Sequence, residues 1–121
     1  MKYIITESRL ENVIFKYLDN KLDGIELKKG NISDIVFAFP GEEYGLIAWN
    51  KTDVWKEIQS PNQLFTYYKI VDEVKNMFSM DKYDTLNVIG RYVESRYNLK
   101  VSYNSDKSMF VQEMLEVKVD E

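Results

Sequence analysis

The chain has 121 residues, of which 45% are hydrophobic and 14% aromatic, and its 16 basic and 20 acidic side chains give a formal net charge of −4. This length and composition predict a single globular domain over residues 1–121 and exclude a disordered chain. Cysteine and histidine are both missing, which excludes disulfides, thiolate metal sites and catalysis by imidazole or a thiol.

Without histidine and cysteine, the side chains that remain make an enzyme the less favoured class of protein. Catalysis would depend on carboxylates, lysine, tyrosine or a hard metal ion held by oxygen ligands. The five glycines are scattered and form no phosphate loop, and no acidic stretch has the spacing of a calcium loop. We therefore predict no catalytic residue, no metal site and no cofactor.

Charge and hydropathy also limit the partners that we expect. When the charges are counted over residues 1–22, 23–52, 53–80, 81–103 and 104–121, none of these five segments has an excess of more than one basic residue. Nucleic-acid binders, by contrast, concentrate cations on the surface that contacts phosphate. No apolar run is long enough to span a bilayer, and the first residues lack the order of a signal peptide. We expect a soluble protein that is not secreted and has no membrane partner.

The first strong structural signal is an amphipathic helix. Residues 2–5 have the pattern of a short strand or an extended lead, and Thr6 or Ser8 then opens the helix. Ser8 and Glu11 have the spacing of a capping box. The helix ends near residues 20–24. Apolar residues recur at the i, i+3, i+4, i+7 and i+8 spacing that predicts one buried stripe, namely Leu10, Val13, Ile14, Tyr17 and Leu18.

The hydrophobic period changes to two between residues 24 and 50. Three segments in this region alternate as strands do, GIELKKG, DIVFAFP and YGLIAWN. Pro40 and Gly41 predict a type II turn between the last two segments. DVWKEIQ, residues 53–59, is a further candidate strand. Residues 63–68 fit either a strand or the first turns of the next helix.

The second half of the chain predicts a helical hairpin at residues 69–97. Its first helix has Ile70, Val71, Val74, Met77 and Phe78 on its apolar face, and its second runs from Asp81 or Tyr83 to Tyr97 with Leu86, Ile89, Val93 and Tyr97 as its stripe. Alternation in the 104–121 tail, at Leu115, Val117 and Val119, permits a closing strand. The predicted fold class is α+β: an N-terminal helix, an antiparallel β-meander of about four or five strands, and a C-terminal helical hairpin.

The middle strands are apolar on both faces, which is the most informative pattern in the sequence. Phe37 and Val36, for example, point to opposite faces, whereas a solvated face would be polar. Either helices cover both faces, which we favour, or one face docks on another protein chain. In the second case Tyr44, Trp49 and Trp55 would anchor the interface, because large aromatic groups dominate interface energies.

Two alternative functions follow from charged residues. The hairpin at 69–97 could present Arg91, Arg96 and Lys100 to a nucleic acid, with an exposed face made of Asp84, Asn87, Arg91, Glu94 and Ser95. We favour a packed hairpin, because two of those five positions are acidic. Glu26 and Lys28 match half of a metal-dependent hydrolase signature. We favour the simpler explanation, which is alternating charge on a solvated strand face, because Asp23 is too close to supply the other half.

Two segments resemble a group of short, uncharacterised bacteriophage proteins. KYIITESRLENVIFKYLDN is similar to the opening strand and helix of short marine bacteriophage proteins, and MFSMDKYDTLNVIGRYVESRYNLKV is similar to their C-terminal part. Arg9, Tyr92 and Arg96 depart from the residues usual in that group. The resemblance implies a viral origin and a place in the infected host's cytoplasm or in the virion. It also implies that residues 63–68 are extended, and it favours a virion component or a protein that binds a host factor. Together with the missing catalytic groups and the two apolar sheet faces, it leads us to expect a non-enzymatic protein that acts through contacts with another protein chain, which would be a second copy, a virion component or a host factor.

Overall fold

The computed structural model describes residues 7–30, 33–51, 62–101, 109 and 111–119. The elements in chain order are α1 (Glu7–Lys21), β1 (Glu26–Lys28), β2 (Ile35–Ala38), β3 (Tyr44–Gly45), β4 (Ile47–Asn50), β5 (Gln63–Tyr67), α2 (Tyr68–Met77), α3 (Lys82–Tyr97), β6 (Val111–Met114) and β7 (Val117–Lys118). The predicted α+β class is confirmed. Within the described ranges, no helix has both the length and the apolar character that crossing a membrane requires.

Helix α1 forms where the apolar stripe predicts it, but its start differs from the Ser8 prediction. The helix begins at Glu7, so Ser8 lies within its first turn and is not the residue that caps it. The Glu11 side chain is paired with Arg91 of α3. Thr6, the other predicted start, and the proposed strand at 2–5 lie outside the described residues. Of the predicted stripe, Val13 faces solvent and is 49% exposed.

Helices α2 and α3 form the predicted hairpin. Residues 63–67 form strand β5, and α2 begins directly at Tyr68. The segment 63–68, which fitted either a strand or a helix, is therefore a strand except for its last residue. Asp81 caps α3 by accepting a hydrogen bond from the Asp84 amide at 2.8 Å. Met77 is an exception to the predicted apolar face, because it is 55% exposed at the end of α2.

The main sheet has five strands in the order β1-β2-β4-β5-β6. The first four strands pair antiparallel and form the predicted meander. Strand β6 then pairs with β5 in parallel, with Leu64 opposite Val111. The closing strand of the tail therefore begins at Val111, earlier than the alternation at 115–119 suggested. The candidate strand at 53–59 lies outside the described residues.

One face of this sheet carries the main hydrophobic core, which the three helices cover. The core joins Ile14 and Leu18 of α1, Phe37 of β2 and Val74 of α2, together with further residues of α3. Tyr92 of α3 is among the largest buried side chains of this cluster, and its ring packs edge-on against Phe15 at 5.4 Å between centroids. All three helices contribute to this core, so they lie on the same side of the sheet.

The opposite face is covered by a short ribbon of two strands, β3 and β7, and none of the three described helices lies on it. Tyr44 pairs with Lys118 and Gly45 with Val117 in this ribbon. The buried residues beneath it are Val36, Ala38 and Ala48, with Phe65, Met114 and Val119 packed around them. The expectation of helices on both faces was wrong, because the apolar second face is covered by strands of the same chain.

Close approach of the ribbon to the sheet depends on glycine. A Cβ atom at Gly45 would overlap the Cγ1 atom of Val36, and one at Gly30 would overlap its Cγ2 atom. Gly30 also forms an isolated bridge with Val119, the residue after β7. Val36 is therefore enclosed between two glycines, and a larger residue at either position would push the ribbon away from the sheet.

Candidate partner-binding groove

An open groove lies where strand β3 meets the connection between β6 and β7. Its volume is about 360 Å³. Phe39, Leu46 and Tyr67 line it as half-buried apolar side chains. Tyr44 and Leu115 stand beside them and are 44% and 77% exposed. We call this feature, with Glu42 and Glu116 at its rim, the Tyr44–Leu115 groove.

A tight turn positions the N-terminal side of the groove. The Glu42 amide donates to the Phe39 carbonyl at 3.1 Å, and Gly41 has a φ of 82°. A positive φ at the third residue and a hydrogen bond between the first and fourth residues are the features of a type II turn. The predicted Pro40-Gly41 turn is therefore confirmed, and it sets the direction in which the chain enters β3.

The C-terminal side of the groove is positioned by strand pairing. Leu115 and Glu116 connect β6, which belongs to the main sheet, with β7, which belongs to the ribbon. The Val119 amide donates to the Glu43 carbonyl at 2.8 Å and continues the ribbon beyond Lys118. Leu115 and Glu116 are therefore held between two paired strands. In this position the Leu115 side chain faces solvent.

The groove brings together two exposed apolar side chains that lie far apart in sequence. The other large exposed apolar residues of the described ranges are on other elements, namely Val13 on α1, Leu27 on β1, Met77 on α2 and Tyr83 on α3. Scattered single apolar residues are normal on a protein surface, whereas clustered ones indicate contact sites. The groove is therefore the part of the described surface best suited to binding an apolar group.

The structure separates the aromatic residues that the sequence predicted as interface anchors. Tyr44 lines the groove. Trp49 is half buried against the helical core, and its indole Nε1 donates to the Lys100 carbonyl at 2.9 Å. Trp55 lies outside the described residues. Tyr44 and Trp49 thus do not form one patch, and Trp49 joins β4 to the segment after α3.

The arginines of the helical hairpin are engaged with acidic residues of α1. The Arg91 guanidinium pairs with Glu11, and Arg96 binds both carboxylate oxygens of Asp19 at 3.0–3.3 Å. Lys100 is exposed. Both arginines therefore hold α1 against α3.

Asp19, Tyr92 and Arg96 form a connected polar cluster. The Tyr92 hydroxyl donates to Asp19 Oδ1 at 2.9 Å, and the Arg96 guanidinium lies over the rings of Phe15 and Tyr92. The hydrogen bond from Arg96 lowers the pKa of Asp19, despite the opposing effect of burial. Burial raises the pKa of the Tyr92 hydroxyl, and the Asp19 carboxylate raises it further. The cluster therefore favours a charged Asp19 and a neutral Tyr92.

A larger cleft of about 690 Å³ lies between α1, α3 and the α2–α3 connection. Leu10, Ile14 and Phe78 line it as apolar side chains, and the Glu11–Arg91 ion pair lies at its edge. Asp81 also lines it, but one of its carboxylate oxygens caps α3. The described residues contain no group of three or more histidine, cysteine or acidic side chains close enough to hold a metal ion.

The pair proposed for metal-dependent hydrolysis lies at a sheet edge. Glu26 and Lys28 are on β1, and their charged groups are 3.9 Å apart. Neither residue lines the groove or the larger cleft. The two side chains thus face each other along the strand, in the arrangement expected for alternating charges on a solvated strand face.

The sequence identified Tyr44 but not its partners in the groove. Leu115 was assigned to the alternation of a closing strand, although it lies between two strands and faces solvent. Phe39 and Tyr67 lay in candidate strand segments, and no role in binding was predicted for them. The sequence did contain a signal for the exposure of Leu115. Glu113 and Glu116 lie close to it on either side, and charged neighbours are typical of a segment at the protein surface.

Comparison with protein-family models, with curated proteins and with solved structures found no match to this chain.

Proposed function

We propose that the chain is a non-enzymatic protein-interaction domain that binds its partner through the Tyr44–Leu115 groove. The observation that carries the proposal is the clustering of Tyr44 and Leu115 beside a half-buried apolar floor. Exposed apolar groups that share one concave surface release water when a partner covers them, which supplies the favourable free energy of association.

The resemblance to short bacteriophage proteins suggests where the partner belongs. We propose that the protein acts in the cytoplasm of an infected bacterium or in the virion. Its partner would then be a host factor, a virion component or a second copy of the chain. A nucleic-acid regulator is the weaker alternative, because Arg91 and Arg96 would have to exchange their carboxylate partners for phosphate.

The proposal can be tested by quantitative affinity capture. The tagged chain would be incubated with bacterial lysate and with purified phage particles, and bound proteins would be measured by mass spectrometry. The Tyr44→Ser/Leu115→Ser variant should lose the specific partner, because it removes the exposed apolar groups of the groove. Size-exclusion chromatography with light scattering should show in parallel whether a second copy is the partner.

The matched control is the Val13→Ser/Leu27→Ser variant. Val13 and Leu27 are 49% and 44% exposed and lie outside the groove, so this variant removes comparable apolar surface elsewhere. It should retain the partner. Equal recovery of every bound protein by both variants and by the original chain would refute the groove as the binding surface.

A further inference from the structure

The rim of the Tyr44–Leu115 groove is acidic. Glu42 and Glu116 line it, and Glu43 is exposed beside it. Neither Glu42 nor Glu116 forms an ion pair with another described residue. Both carboxylates are accordingly available to a ligand, and the groove offers an apolar interior together with negative charge.

Two lysines lie near the groove but do not line it. Lys118 is the cross-strand neighbour of Tyr44, and the Lys69 ammonium stands over the Tyr67 ring at 5.9 Å from its centroid. They moderate the negative potential, but the charged groups that reach the groove itself are carboxylates. The net charge of −4 of the whole chain has the same sign, and it attracts cationic partners at long range.

The size of the groove favours a short segment as its occupant. Its volume of about 360 Å³ is at the lower end of the range of roughly 300–1,000 Å³ that is typical of ligand pockets. Such a volume receives one or two bulky side chains, not a helix or a domain. An extended segment can insert one side chain while its neighbours remain at the rim, because successive side chains alternate in direction.

We propose that the groove binds a short, extended, basic segment of a partner protein. A bulky apolar side chain of that segment enters between Tyr44 and Leu115, and flanking lysine or arginine side chains pair with Glu42 and Glu116. This inference rests on the proposed function and adds the chemistry of the partner. It also predicts binding that weakens with salt, since exposed charge pairs are screened within about 10 Å at 0.1 M ionic strength.

The test uses three synthetic peptides and the ¹⁵N-labelled full chain. GSKKLFKKSG combines apolar and basic residues, GSEELFEESG keeps the apolar pair but reverses the charge, and GSKKSNKKSG keeps the charge but removes the apolar pair. Titration followed by NMR should show that the first peptide shifts the amide signals of Tyr44, Gly45, Leu115 and Glu116. The other two peptides should bind at least several-fold more weakly.

Charge variants of the protein complete the test. The Glu42→Gln/Glu116→Gln variant should bind GSKKLFKKSG about fivefold more weakly, as expected for the loss of two exposed charge pairs. The Asp23→Asn/Asp72→Asn variant removes the same net charge from exposed positions elsewhere and should bind as the original chain does. A thermal unfolding curve would verify that each variant is folded.

The possible results separate this inference from the proposed function. Equal binding of the basic and acidic apolar peptides in the groove would overturn the basic partner but support the groove. The same conclusion follows if no peptide binds while the Tyr44→Ser/Leu115→Ser variant loses a captured protein. Peptide shifts confined to residues outside the groove, together with unaltered capture by that variant, would overturn both.

Discussion

The Asn87 side chain accepts a hydrogen bond from the backbone amide of Met109 at 2.9 Å. Two turns further along α3, Glu94 accepts one from the Val101 amide, also at 2.9 Å. Gly90 lies between them, and a Cβ atom there would be 2.7 Å from Met109 Sδ. This face of α3, which the sequence suggested as a recognition surface, instead holds the chain that leads into β6.

The first prediction concerns Asn87, whose replacement should loosen the C-terminal strands. The Asn87→Ala variant leaves the amide of buried Met109 without its acceptor, which should lower the free energy of unfolding by about 1–3 kcal/mol. Urea unfolding would measure the loss, and hydrogen exchange should accelerate at Met109 and Val111. Ser95→Ala, an exposed change on the same helix, is the control. Unchanged exchange at Met109 would contradict the role of Asn87.

The second prediction concerns the contact between the ribbon and the sheet. The Gly45→Ala variant should lose about 1–3 kcal/mol of stability, as overpacked cores do, because the new methyl group would overlap Val36. The Val36→Ala/Gly45→Ala double variant should lose less than the sum of the two single variants, since the smaller side chain makes room. Chemical denaturation of all four proteins measures this coupling. Strict additivity would show that Gly45 and Val36 do not compete for the same space.

Local patterns in the sequence predicted the elements that depend on neighbouring residues. The helical stripes, the antiparallel meander and the turn at Pro40 and Gly41 all follow from spacing over a few positions. Helix α3 also begins at an acidic cap, Asp81, within the predicted start. In each case the sequence pattern that predicts the element is contained within a few neighbouring positions.

Features that join distant segments could not be read from spacing. Strand β6 adds in parallel to β5 because α3 holds the preceding chain through side chains that a linear pattern places on a solvated face. Arg91 likewise pairs with Glu11, which is 80 positions away, in preference to a neighbour on its own helix. The groove depends on the pairing of β3 with β7 and on the connection between β6 and β7. These are contacts between distant segments, so the sequence pattern did not predict which residues line it.

The third prediction uses two buried threonines as a matched pair. Thr66 on β5 is fully buried, and its hydroxyl has no hydrogen-bond partner among the residues that the structure describes. Thr85 on α3 is equally buried, but its hydroxyl donates to the Asp81 carbonyl at 2.7 Å. Replacement by valine keeps the shape of each side chain and removes the hydroxyl group.

These two changes should have opposite effects on stability. Thr66→Val should raise the free energy of unfolding by about 1 kcal/mol, because it removes a buried polar group that makes no bond, whereas Thr85→Val should lower it by a similar amount. Urea denaturation of both variants at one pH would measure the two shifts. Equal losses in both proteins would mean that the Thr66 hydroxyl is satisfied in solution.

The fourth prediction is a loss of stability in acid that depends on Asp19. Arg96 lowers the pKa of Asp19 below its ordinary value of 3.8, so the unfolded chain binds this proton more readily than the folded chain does. The resulting stabilisation is complete above pH 3.8 and is lost as the pH falls through the lower pKa of the folded state. Unfolding measured between pH 7 and pH 2 should therefore show a smaller acid-induced loss in the Asp19→Asn variant than in the original chain. Asp23→Asn, a change at an exposed position beyond α1, is the control for the removal of one carboxylate. Identical pH profiles for the original chain and the Asp19→Asn variant would show that the ion pair with Arg96 contributes nothing to folding, because a stabilising pair requires a lower pKa in the folded state than in the unfolded one.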